Sequence, residues 1–345
     1  MRRWPLLLLA LLLLVPGVAA CGGDDDVDVD KVLQETFGAD KDIKSGRLDL
    51  DLRLDARGLA SLQGPVRVRL AGPFASSGAD QLPRFALEAT LDAGGQSIRA
   101  GATATEDKGF LSFQGQSYVL SDELFKQFRD GYAEEAKKSQ GDDKGISFKT
   151  LGIDPRRWLT DPQYEGKEDV GGAESLHIRS GIDVPRLLED VNRILGRAEN
   201  IEGAAEQARE LTAEERKQIS DAIKDAKLDL WTGEDDKILR RLVVELEFDV
   251  PEQARQQANG LTGGTLRFQL GLGGINEDVR IEAPANAKPF EDLLATLGGA
   301  TQSGESSDSG APPTGEPGSP YEKCVQEAGA DISKLQECAG LSQSG

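Results

Sequence analysis

The chain has 345 residues, with 60 Asp and Glu against 40 Lys and Arg, for a formal charge of −20. A surface this acidic repels phosphate backbones and no basic stripe offsets it, so nucleic acid is excluded as a partner. A single histidine and three cysteines leave little for histidine- or thiol-based catalysis, and the length suits one large antiparallel domain with appended segments.

Arg2 and Arg3 precede an unbroken apolar run from Leu6 to Val15, followed by Pro16-Gly17 and small residues. That run is far shorter than the about 20 residues a membrane-spanning helix needs, and the layout is that of an export signal over residues 1–20. Its end, Val18-Ala19-Ala20-Cys21, resembles the lipobox, which implies that Cys21 is acylated and becomes the first residue of a protein anchored to the outer face of the membrane. Residues 21–28 read as an acidic tether. Within it and beyond, Asp24, Asp26, Asp28 and Glu35 have the spacing of an EF-hand loop, but Val29 stands where the loop needs Gly, so no calcium or other metal site is expected. Asp28 or Asp30 instead suits the positive end of a helix predicted over Val29 to Phe37.

Period-two alternation follows. Leu48, Leu50, Leu52 and Leu54 alternate with Asp49, Asp51, Arg53 and Asp55, and Val66, Val68 and Leu70 alternate with Arg67 and Arg69. Phe85, Leu87, Ala89 and Leu91 continue the theme, then Ile98, Ala100, Ala102 and Ala104, then Leu111 and Phe113. Short connections such as Gly94-Gly95 between these strands predict an antiparallel meander with one dry face.

Helical signals interrupt at the middle. Ser121 can cap a segment carrying Leu124, Phe125, Phe128 and Tyr132 on one face, and Asp183 one carrying Leu187, Leu188, Val191, Ile194 and Leu195. Thr212 and Glu215 form a capping box ahead of Ile219, Ala222 and Ile223. His177 alternates with Leu176 and Ile178 in a strand, which predicts an outward, solvated ring; no Gly-x-Ser-x-Gly turn accompanies it, so no catalytic residue is assigned and an enzyme is not expected. The strand pattern resumes with Leu228 and Leu230, with Leu242, Val244, Leu246 and Phe248, with Leu266, Phe268, Leu270 and Leu272, and with Val279 and Ile281. A short helix is predicted over Pro289 to Leu297, completing a domain over residues 29–297.

Residues 298–320, rich in Gly, Ser, Pro and Glu, read as a linker with almost nothing apolar to bury. Residues 321–345 read as a hairpin of two short helices. With Cys21 taken by lipid, Cys324 and Cys338 are an even pair in an oxidising compartment and are expected to form a disulfide across it. Such a tail would either dock on a partner in the envelope or simply stabilise the chain end.

The sum is an α+β fold: a curved antiparallel half-barrel sheet with helices packed on its concave apolar face. An N-terminal helix, strands beginning at Ser45-Gly46-Arg47-Leu48, a strand end at Gly72-Pro73-Phe74 and a Tyr118 strand before the middle helices together resemble the LolA/LolB lipoprotein-carrier fold and the LppX/LprG-type lipoproteins of actinobacteria. The resemblance covers Val29 to Leu297 and implies lipid tails held between sheet and helices. The composition points the same way. Aromatics are only 5% of the chain, few to fill such an interior to the usual packing density. The expected lining is Leu50, Leu52, Val68, Leu87 and Ala89, then Ile98, Ala100, Ala102 and Ala104, with Val244, Leu246 and Phe268 from the second half. A lipid or other hydrophobic ligand is therefore the expected partner, beside the membrane through the acyl anchor and proteins of the envelope; no cofactor is implied. If helices instead approach closely over the small residues, the same fold has a closed core and serves as an interaction or scaffold lipoprotein.

Overall fold

Four leucines alternating with charged residues make β1 (Ser45–Arg57) the strand around which the sheet is organised. In the computed structural model, which describes residues 27–38, 41, 43–59, 62, 64–78, 81–138, 154–198, 209–256 and 258–294, β1 pairs antiparallel with β2 (Val66–Ala75) on one side. On its other side it pairs with β11 (Gly263–Gly273), the last long strand. The meander continues outward from β2 through β3 (Arg84–Ala93), β4 (Gln96–Ala104), β5 (Gly109–Phe113) and β6 (Gln116–Val119). From β11 it continues through β10 (Leu239–Asp249), β9 (Ile223–Gly233), β8 (Ala173–Ile182) and β7 (Leu159–Val170). With the two-residue β12 (Lys288–Pro289) on β6, they make one open, curled sheet of 12 strands. The predicted export signal, Cys21, Asp24, Asp26, and the expected linker and tail with Cys324 and Cys338 lie outside the described residues.

Turn chemistry fixes the hairpins. Gly94 and Gly95 both have positive φ, 57° and 78°, the conformation of a two-residue turn whose twist matches that of paired strands. Gly72-Pro73-Phe74 lies at the end of β2, which closes at Ala75. What changes there is its pairing: β2 stays in register with β1 throughout, while its ladder to β3 lapses at Gly72 and Pro73. Proline has no N–H to give that ladder.

Three helices close parts of the sheet. Asp28 caps α1 (Val29–Gly38), accepting from the Lys31 N–H at 3.0 Å, and Val32 and Leu33 on its inner face are buried on Leu176, Ile178, Leu228, Leu230, Leu242 and Val244. Burial of aliphatic side chains of this size contributes roughly 1.5–3 kcal/mol each. Ser121 caps α2 (Asp122–Lys138), whose Phe125 packs on Leu82 and Ala104 at the far end of the apolar face. Asp183 caps α3 (Val184–Ala198). That helix is fastened by Asp190, which is 1% exposed and accepts from the Trp158 indole N–H at 2.9 Å, the Asp154 N–H at 3.1 Å and Arg193 Nη1 at 2.5 Å.

Three expectations are corrected. The capping box of α4 (Ala213–Ala222) is present, but no residue of this helix is buried, and Ile223, read as part of its stripe, is the first residue of β9. Val279 and Ile281 form no strand: both sides of β1 are already occupied by β2 and β11, and the segment is tied instead by Asn276 and Glu277 to Lys44 and Ser45. Of the short helix predicted over Pro289 to Leu297, residues 290–294 are helical, Pro289 belongs to β12, and the remainder lies outside the described residues.

Candidate ligand-binding face

Register places apolar side chains of β9, β10, β11 and β1 to β4 on one face, in rows that run across the sheet. One row passes from Leu228 through Val244, Phe268, Leu52, Val68 and Leu91 to Ile98, each residue directly opposite the next on the neighbouring strand. Residue type hardly changes along it, but burial does. Leu228 and Val244 are 0% and 8% exposed, whereas Leu52, Val68, Leu91 and Ile98 are 37%, 40%, 39% and 45% exposed. The next row, Leu230, Leu242, Leu270, Leu50, Leu70, Ala89 and Ala100, shows the same drift, from fully buried Leu230 to exposed Ala100.

The cause lies in what sits on the face. Helix α1 and Trp158 cover β8 to β10, so Val244 belongs to a closed core. At the far end Phe125 of α2 stoppers β4 over Ala104, which is buried. Neither cover reaches the β1–β4 hairpin end among the described residues. Leu50, Leu87, Ala89 and Ala102, with Leu246 and Phe268, are half-buried along the bounded part of the face; Leu52, Val68, Ile98 and Ala100 stand in its open part. Isolated exposed apolar residues are ordinary, but four in direct cross-strand contact form a contiguous patch, and such patches mark sites of interaction. Strand spacing of about 4.8 Å makes this row roughly 14 Å long. Leu91, absent from the expected lining, completes it; its parity with Ile98 through the Gly94-Gly95 turn was the available signal.

The opposite face is laced with charge. Asp49 and Asp51 pair with Arg69 and Arg67 across the strands, Arg267 pairs with Glu245, and Arg53 bonds Asp55 at 2.8 Å, holding the Asp55 carboxyl below its ordinary range. His177 lies on this face, as its parity predicts, but it is not solvated. It is 7% exposed, stacked on Trp231 at 4.3 Å, with Nε2 2.7 Å from Asp229 and Nδ1 3.1 Å from Glu168. Trp231 also donates to Glu168 at 3.0 Å. The burial comes from residues distant in sequence: Val170 and Val243 pack on Trp231 beside the ring. With both ring nitrogens taken by carboxylates from β7 and β9, the histidine ties three strands together. Among the described residues no cluster of His, Cys, Asp and Glu converges as metal ligands would.

An open curled sheet with one apolar face and a partial helical cover is the class of architecture these observations define. No family model and no curated protein matches the chain. Solved structures to which it is similar include LprF from Mycobacterium bovis, at 12% identity over 74% of this chain and 96% of that one, with a TM-score of 0.36. The lipoprotein LppX of Mycobacterium tuberculosis is also 12% identical, over 74% of this chain and 100% of that one, with a TM-score of 0.33. A LolA superfamily protein from Nitrosomonas europaea is 8% identical over 73% and 94%, with a TM-score of 0.18.

Proposed function

We propose that this chain is a lipid-anchored carrier at the outer face of the cell membrane, which holds the acyl chains of a lipid, or a similar hydrophobic ligand, on the open part of its apolar face. The observation that carries this reading is the row Leu52, Val68, Leu91 and Ile98, which is contiguous, apolar and exposed. A protein with a closed core would cover that row. Ligand binding removes it from water, and each acyl methylene buried there is worth about 0.8 kcal/mol. Ala102 leaves room for the chain between Leu87 and Leu111, Ala89 and Ala100 extend that space towards Phe113, α1 and α2 set two of its boundaries, and no covalent step is involved. The lipobox-like Val18 to Cys21 and the acidic tether support the location.

The test is native mass spectrometry of the full chain isolated from a bacterial envelope, together with the variant Ala102→Phe. Lipid that co-purifies with the parent and is reduced in a still-folded variant supports the carrier. If the parent neither carries lipid nor takes any up when offered, and the variant is destabilised by the about 1–3 kcal/mol of an overpacked core, the closed scaffold reading replaces it. The anchor is tested separately: Cys21→Ala abolishes acylation, and an unacylated N-terminus on the parent's mature chain refutes the anchor.

A further inference from the structure

Beyond Phe125, where α2 meets the connection from β2 to β3, lies a cavity of about 460 Å³ whose lining includes Ser76, Ser77, Gln81, Leu82, Arg84 and Arg129. Its lining balances two guanidinium groups against two carboxylates and so lacks the acidic excess of the protein as a whole. Arg84 begins β3 and Arg129 comes from the outer part of α2, so two elements deliver guanidinium groups to one space. Two carboxylates also line it, one engaged by a lysine and the other in a long ion pair with Arg84. Asp130 is engaged by Lys126 at 2.6 Å. Glu106 pairs with Arg84 at 3.9 Å, a long contact to a largely exposed carboxylate, while Arg129 donates to the Glu106 backbone carbonyl at 3.4 Å. Arg129 also lies over the Phe125 ring, 5.8 Å from its centroid, which aims the guanidinium along the stopper. The hydroxyl of Ser76 accepts from the Gly78 N–H at 3.3 Å and keeps its own proton to give. Ser77 and Gln81 add polar side chains that make no hydrogen bond among the described residues. With Asp130 engaged by Lys126 and Glu106 at the long edge of pairing, both guanidinium groups keep N–H donors to give, and their planar forks match the oxygens of phosphate and carboxylate.

We infer that this cavity binds an oxyanion, a phosphate or carboxylate, belonging to the headgroup of an amphiphile whose acyl part lies on the apolar face. The inference rests on the carrier reading above and adds to it a preference for anionic cargo. Leu82 connects the two regions, since it lines the cavity and also packs with Ala104 and Phe125 at the end of β4. A headgroup at Arg84 and Arg129 would thus sit beside the stoppered end of the face, with the polar and apolar parts of the ligand on either side of Phe125.

The experiment offers the full chain, stripped of bound lipid, phosphatidic acid and diacylglycerol with identical acyl chains, and separately inorganic phosphate without lipid. Phosphatidic acid is expected to bind about tenfold or more tightly than diacylglycerol, from charge-assisted hydrogen bonds to two guanidinium groups. In the variant R84Q/R129Q the two lipids should become nearly equal, with diacylglycerol uptake unchanged, while R84K/R129K keeps part of the preference. Equal binding of both lipids by the parent, or a preference that survives in R84Q/R129Q, overturns the headgroup assignment and leaves the carrier standing. Binding of neither lipid removes the carrier and this inference with it. Phosphate that raises the parent's melting temperature but not that of R84Q/R129Q, with no preference for phosphatidic acid, makes the cavity a site for a free anion and overturns its link to lipid. If R84Q/R129Q does not fold, the parent's own ratio between the two lipids decides.

Discussion

The two halves of the sheet carry the same pattern and meet different fates. On β8 to β10 the apolar rows lie under α1 and Trp158 and are closed; on β1 to β4 rows of equal hydrophobicity continue in register and stand open. The difference therefore resides in the cover and not in the strands. A uniform face with a partial cover gives one part of the sheet a closed core and, among the described residues, leaves another open.

This contrast can be broken most directly by truncating equivalent side chains. Leu230→Ala, in the closed half, is expected to cost about 2–5 kcal/mol in denaturant unfolding because it leaves a cavity among buried neighbours. Leu91→Ala, in the open half, is expected to cost less than about 1 kcal/mol. Equal losses would mean that the open row is covered in the folded protein. A smaller effect is expected at Asp190, which fastens α3 to Trp158 and Asp154. Asp190→Asn weakens those bonds by about 1–3 kcal/mol in total, and it should leave lipid uptake unchanged, since the residue lies on the closed side. Loss of uptake in a stable Asp190→Asn variant would show that α3 shapes the open half as well.

The smallest effect concerns α4, which buries nothing and depends on its cap. Hydrogen bonds from Arg209 and from the backbone and hydroxyl of Thr212 pull the Glu215 carboxyl down to about 2 from an ordinary 4.5. A depressed carboxylate stabilises the fold above its unfolded pKa, and this contribution is lost as pH falls from about 4.5 towards 2. Protection of the amides at the start of α4, measured relative to their intrinsic exchange at each pH, should fall only in that acid range; a fall near neutrality would contradict the cap.

The strands of the meander were legible because Leu48 to Leu54, Val66 to Leu70 and Phe85 to Leu91 alternate without interruption. Strand β7 was not: it is an edge strand with irregular register near Pro162 and Gly166, so its period breaks. The burial of His177 depends on Val170 and Val243, which parity within its own strand cannot report. For the same reason parity placed these apolar residues on one face but could not report their exposure. Ile98 and Leu228 look alike along the chain, and only the position of α1 separates them. Arg84 and Arg129, one opening a strand and one on a helix, carried no shared motif that could bring them together.

The seam between β1 and β11 sets the order in which the molecule can be built. Eleven residue pairs, from Arg47 with Gly273 to Arg57 with Gly263, join nearly opposite ends of the domain at the centre of its sheet. Contacts so distant in sequence make folding slow. During synthesis β1 must wait with its leucines unpaired on one flank until β11 arrives, which exposes an aggregation-prone edge for as long as the chain is incomplete. Refolding from denaturant should accordingly end in a late phase that reports the joining of the two halves, and a circular permutant that places β11 directly before β1 should shorten it.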